Sequence, residues 1–140
     1  KAGGGSIALG ENAAFSIYFR VPAPPLGNVA ITGGTLVDTF PAGAVVLNRN
    51  TLAPIPDGGT LPDGGKVDYT SHTITWTVPK LDPTFNAGQC DSTSCVSTSW
   101  YPEGLLMNFP ADKFSVGQTV TNNVTSTVSY GDGTSGTLNG

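Results

Sequence analysis

Basic residues are scarce in this chain, and their scarcity argues against one class of partner. Six Lys and Arg stand against ten Asp and Glu in 140 residues, which gives a formal net charge of -4. The six basic residues are scattered singly along the sequence, whereas a nucleic-acid-binding surface needs them clustered on one face. We therefore expect no nucleic-acid partner.

Long apolar runs and helical patterns are also missing. No stretch approaches the roughly 20 apolar residues that a membrane-spanning helix requires, and no signal peptide is recognisable, so we expect no membrane insertion. Charged residues make up only 11% of the chain, while Gly and Pro number 19 and 11, a composition that disfavours long helices. Short strands joined by turns suit it better, and the length suits a single domain.

Combinations of catalytic or metal-binding residues are lacking as well. The only His is His72, no Gly-x-Ser-x-Gly sequence occurs, and no two carboxylates are spaced for acid–base catalysis. The glycine-flanked Asp57, Asp63 and Asp132 are explained by turn chemistry and lack the carboxylate density of a calcium loop. We expect no enzyme, no cofactor and no bound metal.

Cysteine is limited to two residues, which lie close together in the sequence. Cys90 and Cys95 flank a polar loop with no His or further Cys nearby, and zinc would need about two more ligands. A local disulfide is the better interpretation, with two free thiols as the alternative; closing so small a loop would contribute roughly 2 kcal/mol. Together with low lysine and abundant Thr, the pair favours an extracellular location.

Alternation of apolar and polar residues predicts strands along most of the chain. The clearest strand runs over 13–21, with Phe15 and Ile17 on its apolar face. Further strands are predicted over 28–32, 36–40, 44–47, 69–78 and 119–130, and the apolar range 105–109 is a strand or one helical turn. About seven to nine short strands without a convincing helix predict an all-β, antiparallel β-sandwich.

The remaining segments are predicted to connect these strands. Gly33-Gly34 forms a bulge or a turn, residues 48–65 form a turn-rich surface excursion, and a turn at Gly131 is followed by a polar tail from Thr134 to Gly140.

One acid is predicted to lie among core residues. Strand side chains alternate between faces, so Leu36, Asp38 and Phe40 share one face. An unpaired buried carboxylate costs several kcal/mol or stays protonated. Asp38 therefore has a partner, performs chemistry, or lies at a sheet margin that water reaches.

Two neighbouring asparagines are predicted to point in opposite directions. Asn122 shares the apolar face with Val120 and Val124, while Asn123 lies on the face of Thr and Ser residues. Asn123 also begins the sequon Asn-Val-Thr and is a candidate glycosylation site.

The aromatic pair Trp100 and Tyr101 follows the cysteine loop. Trp76 lies on an apolar strand face and is predicted to pack in the core, so Trp100 and Tyr101 are the candidate ligand-contact residues.

Five segments together resemble a known family. They are Lys1, Gly-Glu-Asn-Ala-Ala-Phe-Ser-Ile at 10–17, Val-Asp-Thr-Phe-Pro-Ala-Gly at 37–43, Ile-Thr-Trp-Thr-Val at 74–78 and Val-Thr-Asn-Asn-Val at 120–124. In this order they resemble the Ig-like repeat domains of prokaryotic surface proteins and pilins, including the DUF11-type repeats and the isopeptide-forming fimbrial D2-type domains. The most specific part, Asp-Thr-Phe-Pro-Ala-Gly, is similar to the family's Asp-Thr-Leu-Pro-Ala-Gly.

The resemblance implies an Ig-like β-sandwich with a candidate covalent cross-link. In the isopeptide-forming relatives a lysine of the first strand joins an asparagine of the last, with an acid between them; by motif position these are Lys1, Asn122 and Asp38. Burial favours a neutral amine and a protonated carboxyl, so that the amine attacks a polarised amide. In DUF11-type relatives that form no bond, the acid is structural, and this alternative stays open.

The resemblance also implies a structural role. Residues 1–9 form a flexible N-terminal segment and a candidate donor strand with Ile7 and Leu9 as anchors, and residues 10–140 form a single Ig-like domain. We expect a building block of an extracellular cell-surface array or pilus-like filament. It would assemble with other copies of itself or with neighbouring surface domains. Assembly would proceed by β-strand addition to a sheet edge that an incomplete sandwich leaves exposed.

The alternative is an adhesin or carbohydrate-binding module. It would use the loop between Cys90 and Cys95 together with Trp100 and Tyr101 to contact glycans or a host cell surface.

Overall fold

A computed structural model describes residues 5–20, 30–82, 99–100, 102 and 104–139. This part of the chain contains ten strands and no helix, hence none long and apolar enough to cross a membrane. The strands are β1 (Asn12–Phe15), β2 (Phe19–Arg20), β3 (Ile31–Thr39), β4 (Val45–Leu47), β5 (Lys66–Asp68), β6 (Thr73–Val78), β7 (Ser99–Trp100), β8 (Leu105–Asn108), β9 (Asn123–Tyr130) and β10 (Ser135–Asn139).

Eight of these strands form two antiparallel sheets. The five-stranded sheet has the order β10-β9-β3-β6-β5 and the three-stranded sheet the order β1-β8-β4, while β2 and β7 pair separately. One core cluster joins both sheets, with Leu36, Ile74 and Trp76 from the larger sheet and Val46 and Met107 from the smaller. The predicted all-β antiparallel sandwich is confirmed.

The central strand of the larger sheet is β3, which pairs with β6 on one side and β9 on the other. Its register with β9 shifts between Ile31 and Gly33, which makes Thr32 the bulged residue, while Gly33 and Gly34 pair with Ser129 and Val128. The predicted turn at Gly33-Gly34 is therefore wrong, and the predicted bulge lies one residue earlier, inside a single strand. A Cβ at Gly34 would collide with the carbonyl oxygen of Thr127 and lie 2.9 Å from the Cα of Val128. Only glycine lets the two backbones approach this closely.

The strand predicted over 13–21 is broken, and the prediction of one continuous strand is wrong. β1 ends at Phe15, which pairs with Leu105, the first residue of β8. The regular ladder with β8 stops there: Ser16 makes only an isolated β-bridge, and Phe19 pairs with Trp100 in the separate β2-β7 ladder. The alternation of faces still holds, with Ile17 buried and Tyr18 exposed.

The end of the chain also differs from the prediction. β9 begins at Asn123, after the predicted start, because its partner β3 ends at Thr39, the residue opposite Asn123; Val120 is exposed. The tail that was predicted to be only polar forms β10. An edge strand that faces solvent needs no apolar alternation, so its sequence carries little strand signal.

The segment 48–65 is turn-rich as predicted, but it is not only a surface excursion. Ile55 and Leu61 are buried in the core cluster. Their apolar side chains are the reason that the segment folds back onto the sandwich.

Backbone pairing decides the secondary structure of two other predicted ranges. The predicted strand 69–78 is strand only in β6, since residues 69–72 form the turn that joins β5 to β6. Residues 105–109 are extended, and β8 pairs with β1 and β4, which excludes the helical turn.

Tyr69 closes one side of the sandwich. Its hydroxyl accepts a hydrogen bond from the Val46 backbone N–H at 2.9 Å and donates one to the Ile55 carbonyl at 3.1 Å. Its ring also packs edge-on against Phe40. Tyr69 thus ties the turn after β5 to β4 of the opposite sheet.

Replacing Tyr69 by Phe should lower the free energy of unfolding by about 2 kcal/mol, because the buried Val46 N–H and the Ile55 carbonyl lose a partner. Tyr130→Phe is the matched control, since the Tyr130 hydroxyl makes no hydrogen bond to the described residues. Denaturant unfolding measures both variants, and equal losses would contradict the role assigned to Tyr69.

Titration of the Tyr69 hydroxyl should also make the free energy of unfolding depend on pH. Burial raises the pKa of the Tyr69 hydroxyl above 10.0, opposed by the Val46 hydrogen bond and aided by the Asp57 charge. The unfolded chain therefore ionises first, and stability should fall as the pH rises from about 10 through the raised folded pKa. In Tyr69→Phe this part of the fall should disappear.

Candidate functional site

Asp38 lies near the end of β3, on the face that the core covers. Its exposed fraction is 0%, and Leu36 and Phe40 on the same face are also buried. On the five-stranded sheet it lies between Ile74 of β6 and Val124 of β9. The predicted placement among core residues is confirmed, and the alternative of a sheet margin reached by water is excluded.

Asn122 lies at the same end of the core. Val124 is opposite Asp38, and Asn122 precedes it by two residues. The side-chain oxygen and nitrogen of Asn122 are both buried, and neither has a hydrogen-bond partner. Asn123 is exposed, so the predicted opposite orientation of the two asparagines is confirmed.

An unpartnered buried amide requires an explanation. Each buried donor or acceptor without a partner costs about 1–3 kcal/mol, and most such groups in proteins are satisfied. The described residues supply no group to the Asn122 amide. Asn122 therefore keeps a hydrogen-bond donor and an acceptor that the described residues do not use.

Several other candidate residues fall outside the described part of the chain. Lys1, Cys90, Cys95 and Tyr101 lie there, so the cross-link, the disulfide and half of the aromatic pair stay predictions. Trp100 is placed by its backbone in β7, beside Phe19.

The N-terminal segment 5–9 belongs to neither sheet. It ends in a turn in which the Glu11 N–H donates to the Ala8 carbonyl at 3.1 Å, and the Gly10 N–H then donates to the Phe109 carbonyl at 2.8 Å. Ile7 and Leu9 are 42% and 38% exposed. The two predicted anchor residues are therefore accessible.

Ile7 and Leu9 line an apolar groove of about 380 Å³. Its other apolar side chains include Phe109, Phe114 and Val120, and none of its lining residues is charged. Sequence reasoning placed none of these three residues beside the N-terminal segment. Phe109 and Phe114, which contact each other edge-to-face, supply its aromatic lining.

Comparison with known proteins identifies no relative. The chain matches no protein-family model, no curated protein and no solved structure. The resemblance to Ig-like repeat domains therefore stays a prediction.

Proposed function

We propose that this chain is a structural building block of an extracellular cell-surface array or pilus-like filament, in which residues 1–9 of one copy add as a strand to a neighbouring copy. The observation that carries this proposal is the placement of residues 5–9 outside both sheets, with Ile7 and Leu9 exposed. Ile7 and Leu9 line one groove with the exposed Val116 and Val120, and contiguous exposed apolar surface marks sites that bind partners.

The spacing of these two side chains suits strand addition. Residues i and i+2 of an extended segment point to the same side, so Ile7 and Leu9 would enter the same face of a receiving sheet. In this mode of recognition backbone hydrogen bonds supply affinity, and alternate side chains supply specificity.

Assembly should depend on Ile7 and Leu9. Sedimentation of the full chain should show oligomers that grow with concentration, and the double variant Ile7→Asp/Leu9→Asp should remain monomeric because a charge at each anchor opposes burial. The control is Leu52→Asp, which changes an exposed leucine in a distant loop and should assemble normally.

Two outcomes would contradict the proposal. One is a wild-type chain that stays monomeric at every concentration, and the other is a double variant that assembles as well as the wild type. A glycan-array signal that Trp100→Ala removes would favour the carbohydrate-binding alternative.

A further inference from the structure

The two edges of the five-stranded sheet differ. β5 is three residues long, begins with Lys66 and ends with Asp68, and the loop before it covers the strand: the Gly58 N–H donates to the Val67 carbonyl, and the Val67 N–H to the Gly59 carbonyl, both at 2.9 Å. Short length, charge and a covering loop are the means by which proteins protect sheet edges. The opposite edge, β10, has five residues with neither charge nor proline.

Successive residues of β10 point their backbone N–H and C=O groups alternately towards the partner strand β9 and away from the sheet. The Tyr130 N–H donates to the Thr134 carbonyl at 2.9 Å across the hairpin, which sets the phase of the ladder. Because hydrogen-bonded and non-hydrogen-bonded pairs alternate in antiparallel strands, the backbone groups of Gly136 and Leu138 point towards β9.

The other three residues of β10 therefore direct their backbone N–H and C=O groups away from the sheet. These are Ser135, Thr137 and Asn139, and their side chains are exposed. Within the described residues no backbone group pairs with them. Their three donors and three acceptors form a template for one more strand.

Leu138 shows that the sheet extends past its cover. It lies opposite Ser126, which is buried in the core, so Leu138 is on the core-side face of the sheet. Its side chain is nevertheless 48% exposed, because the smaller sheet does not cover this edge. A strand added here would place its own apolar side chains beside Leu138, where cross-strand pairs stabilise a sheet.

We propose that β10 is the acceptor edge and that residues 5–9 of a second copy pair with it as an antiparallel sixth strand. This inference rests on the proposed function and names the surface that receives the donor. Donor and acceptor are each five residues long, both are uncharged, and Ile7 and Leu9 supply the apolar side chains that the exposed face around Leu138 lacks. No side chain on either segment opposes the pairing by charge.

Amide hydrogen exchange of the full chain tests the pairing residue by residue. On going from dilute to assembling concentrations, the outward amides of Ser135, Thr137 and Asn139 should exchange about tenfold or more slowly. The amides of Gly136 and Leu138, already bonded to β9, should change little. Equal slowing of all five amides, or none, would overturn the assignment.

A proline tests the edge by mutation. Thr137→Pro removes one outward N–H without touching a bond to β9, and it should abolish assembly while leaving the melting temperature near that of the wild type. Thr137→Val, which keeps both outward groups, should assemble. Leu138→Lys adds a charge at the edge, leaves the backbone intact and should also block assembly. This second variant shows that assembly is lost at the edge itself, even if Thr137→Pro unfolds the hairpin.

Mixing separates this inference from the proposed function. The Thr137→Pro chain keeps its donor and the Ile7→Asp/Leu9→Asp chain keeps its acceptor, so together they should form dimers that grow no further. Assembly that is lost in the donor variant but normal in Thr137→Pro and Leu138→Lys would keep the building block and overturn β10 as acceptor. If the wild type never assembles, the proposed function fails. The acceptor edge is then tested separately, by adding a synthetic peptide of residues 5–9 to the chain and measuring amide exchange. A peptide that leaves the amides of Ser135, Thr137 and Asn139 unprotected overturns the acceptor edge as well.

Discussion

The intact mass of the purified chain should be lower than its sequence mass by one ammonia. In the predicted reaction the Lys1 Nζ forms a bond to the side-chain carbonyl carbon of Asn122, the bond from that carbon to Nδ2 breaks, and the nitrogen leaves as ammonia. Asp38 would carry the protons, as a donor to the amide oxygen and a relay to the leaving nitrogen. The supporting observations are the full burial of Asp38 and the unpartnered amide of Asn122.

Variants at these positions should remove the mass change. Asn122→Ala deletes the amide and Asp38→Ala deletes the proton carrier, so both should retain the full sequence mass. Asn123→Ala is the matched control, because Asn123 is adjacent but exposed, and it should still lose ammonia. If the bond forms within one copy rather than between copies, it closes a loop of about 120 residues and stabilises the fold by roughly 4–5 kcal/mol, on the loop-closure argument used for disulfides.

An unchanged mass would favour the structural alternative for Asp38. The species that has lost ammonia, monomer or oligomer, shows whether the bond forms within one copy or between copies. A monomer lacking one ammonia places the bond within one copy and holds residues 1–9 at their own sheet, which contradicts their role as donor. Oligomers that survive denaturing electrophoresis place the bond between copies and agree with that role. The same spectrum reports the loss of two hydrogens for a Cys90–Cys95 disulfide and added sugar mass for a glycan at Asn123.

Gly34→Ala should be the most damaging single-methyl change in the sheet, at about 3 kcal/mol. The new Cβ would meet the Thr127 carbonyl oxygen and the Val128 Cα, both backbone atoms, so no side chain can rotate away and β3 must separate from β9. Thermal unfolding should show a melting temperature roughly 10 °C lower. Gly131→Ala is the control, since its nearest neighbour, the Ala30 carbonyl oxygen, lies at an ordinary 3.7 Å.

The Gly34 prediction also connects to the candidate cross-link. The ladder that pairs Gly34 with Val128 also pairs Asp38 with Val124 and so brings Asn122 to the end of the core that holds Asp38. A Gly34→Ala chain that still folds should form less of the cross-link than Gly131→Ala. Equal stability of the two alanine variants would show that β9 can move and would contradict the tight approach.

Residues with a strong local pattern were predicted well. The alternation around Asp38 in β3 and from Asn123 onward in β9 is imposed by strand geometry wherever one face is buried, so the burial of Asp38 and the outward direction of Asn123 followed from spacing alone. The broken strand at Phe15 and the late start of β9 did not, because each depends on where a partner strand far along the chain begins or ends.

The sequence by itself determined the all-β class, the buried acid on β3 and the outward direction of Asn123, since these depend on a two-residue period that each strand carries within itself. Tertiary structure alone decided which edges are closed. The burial of Ile55, the bridge made by Tyr69 and the pairing of the polar tail as β10 all depend on contacts between distant segments, and a solvent-facing edge strand leaves no apolar pattern for its sequence to show.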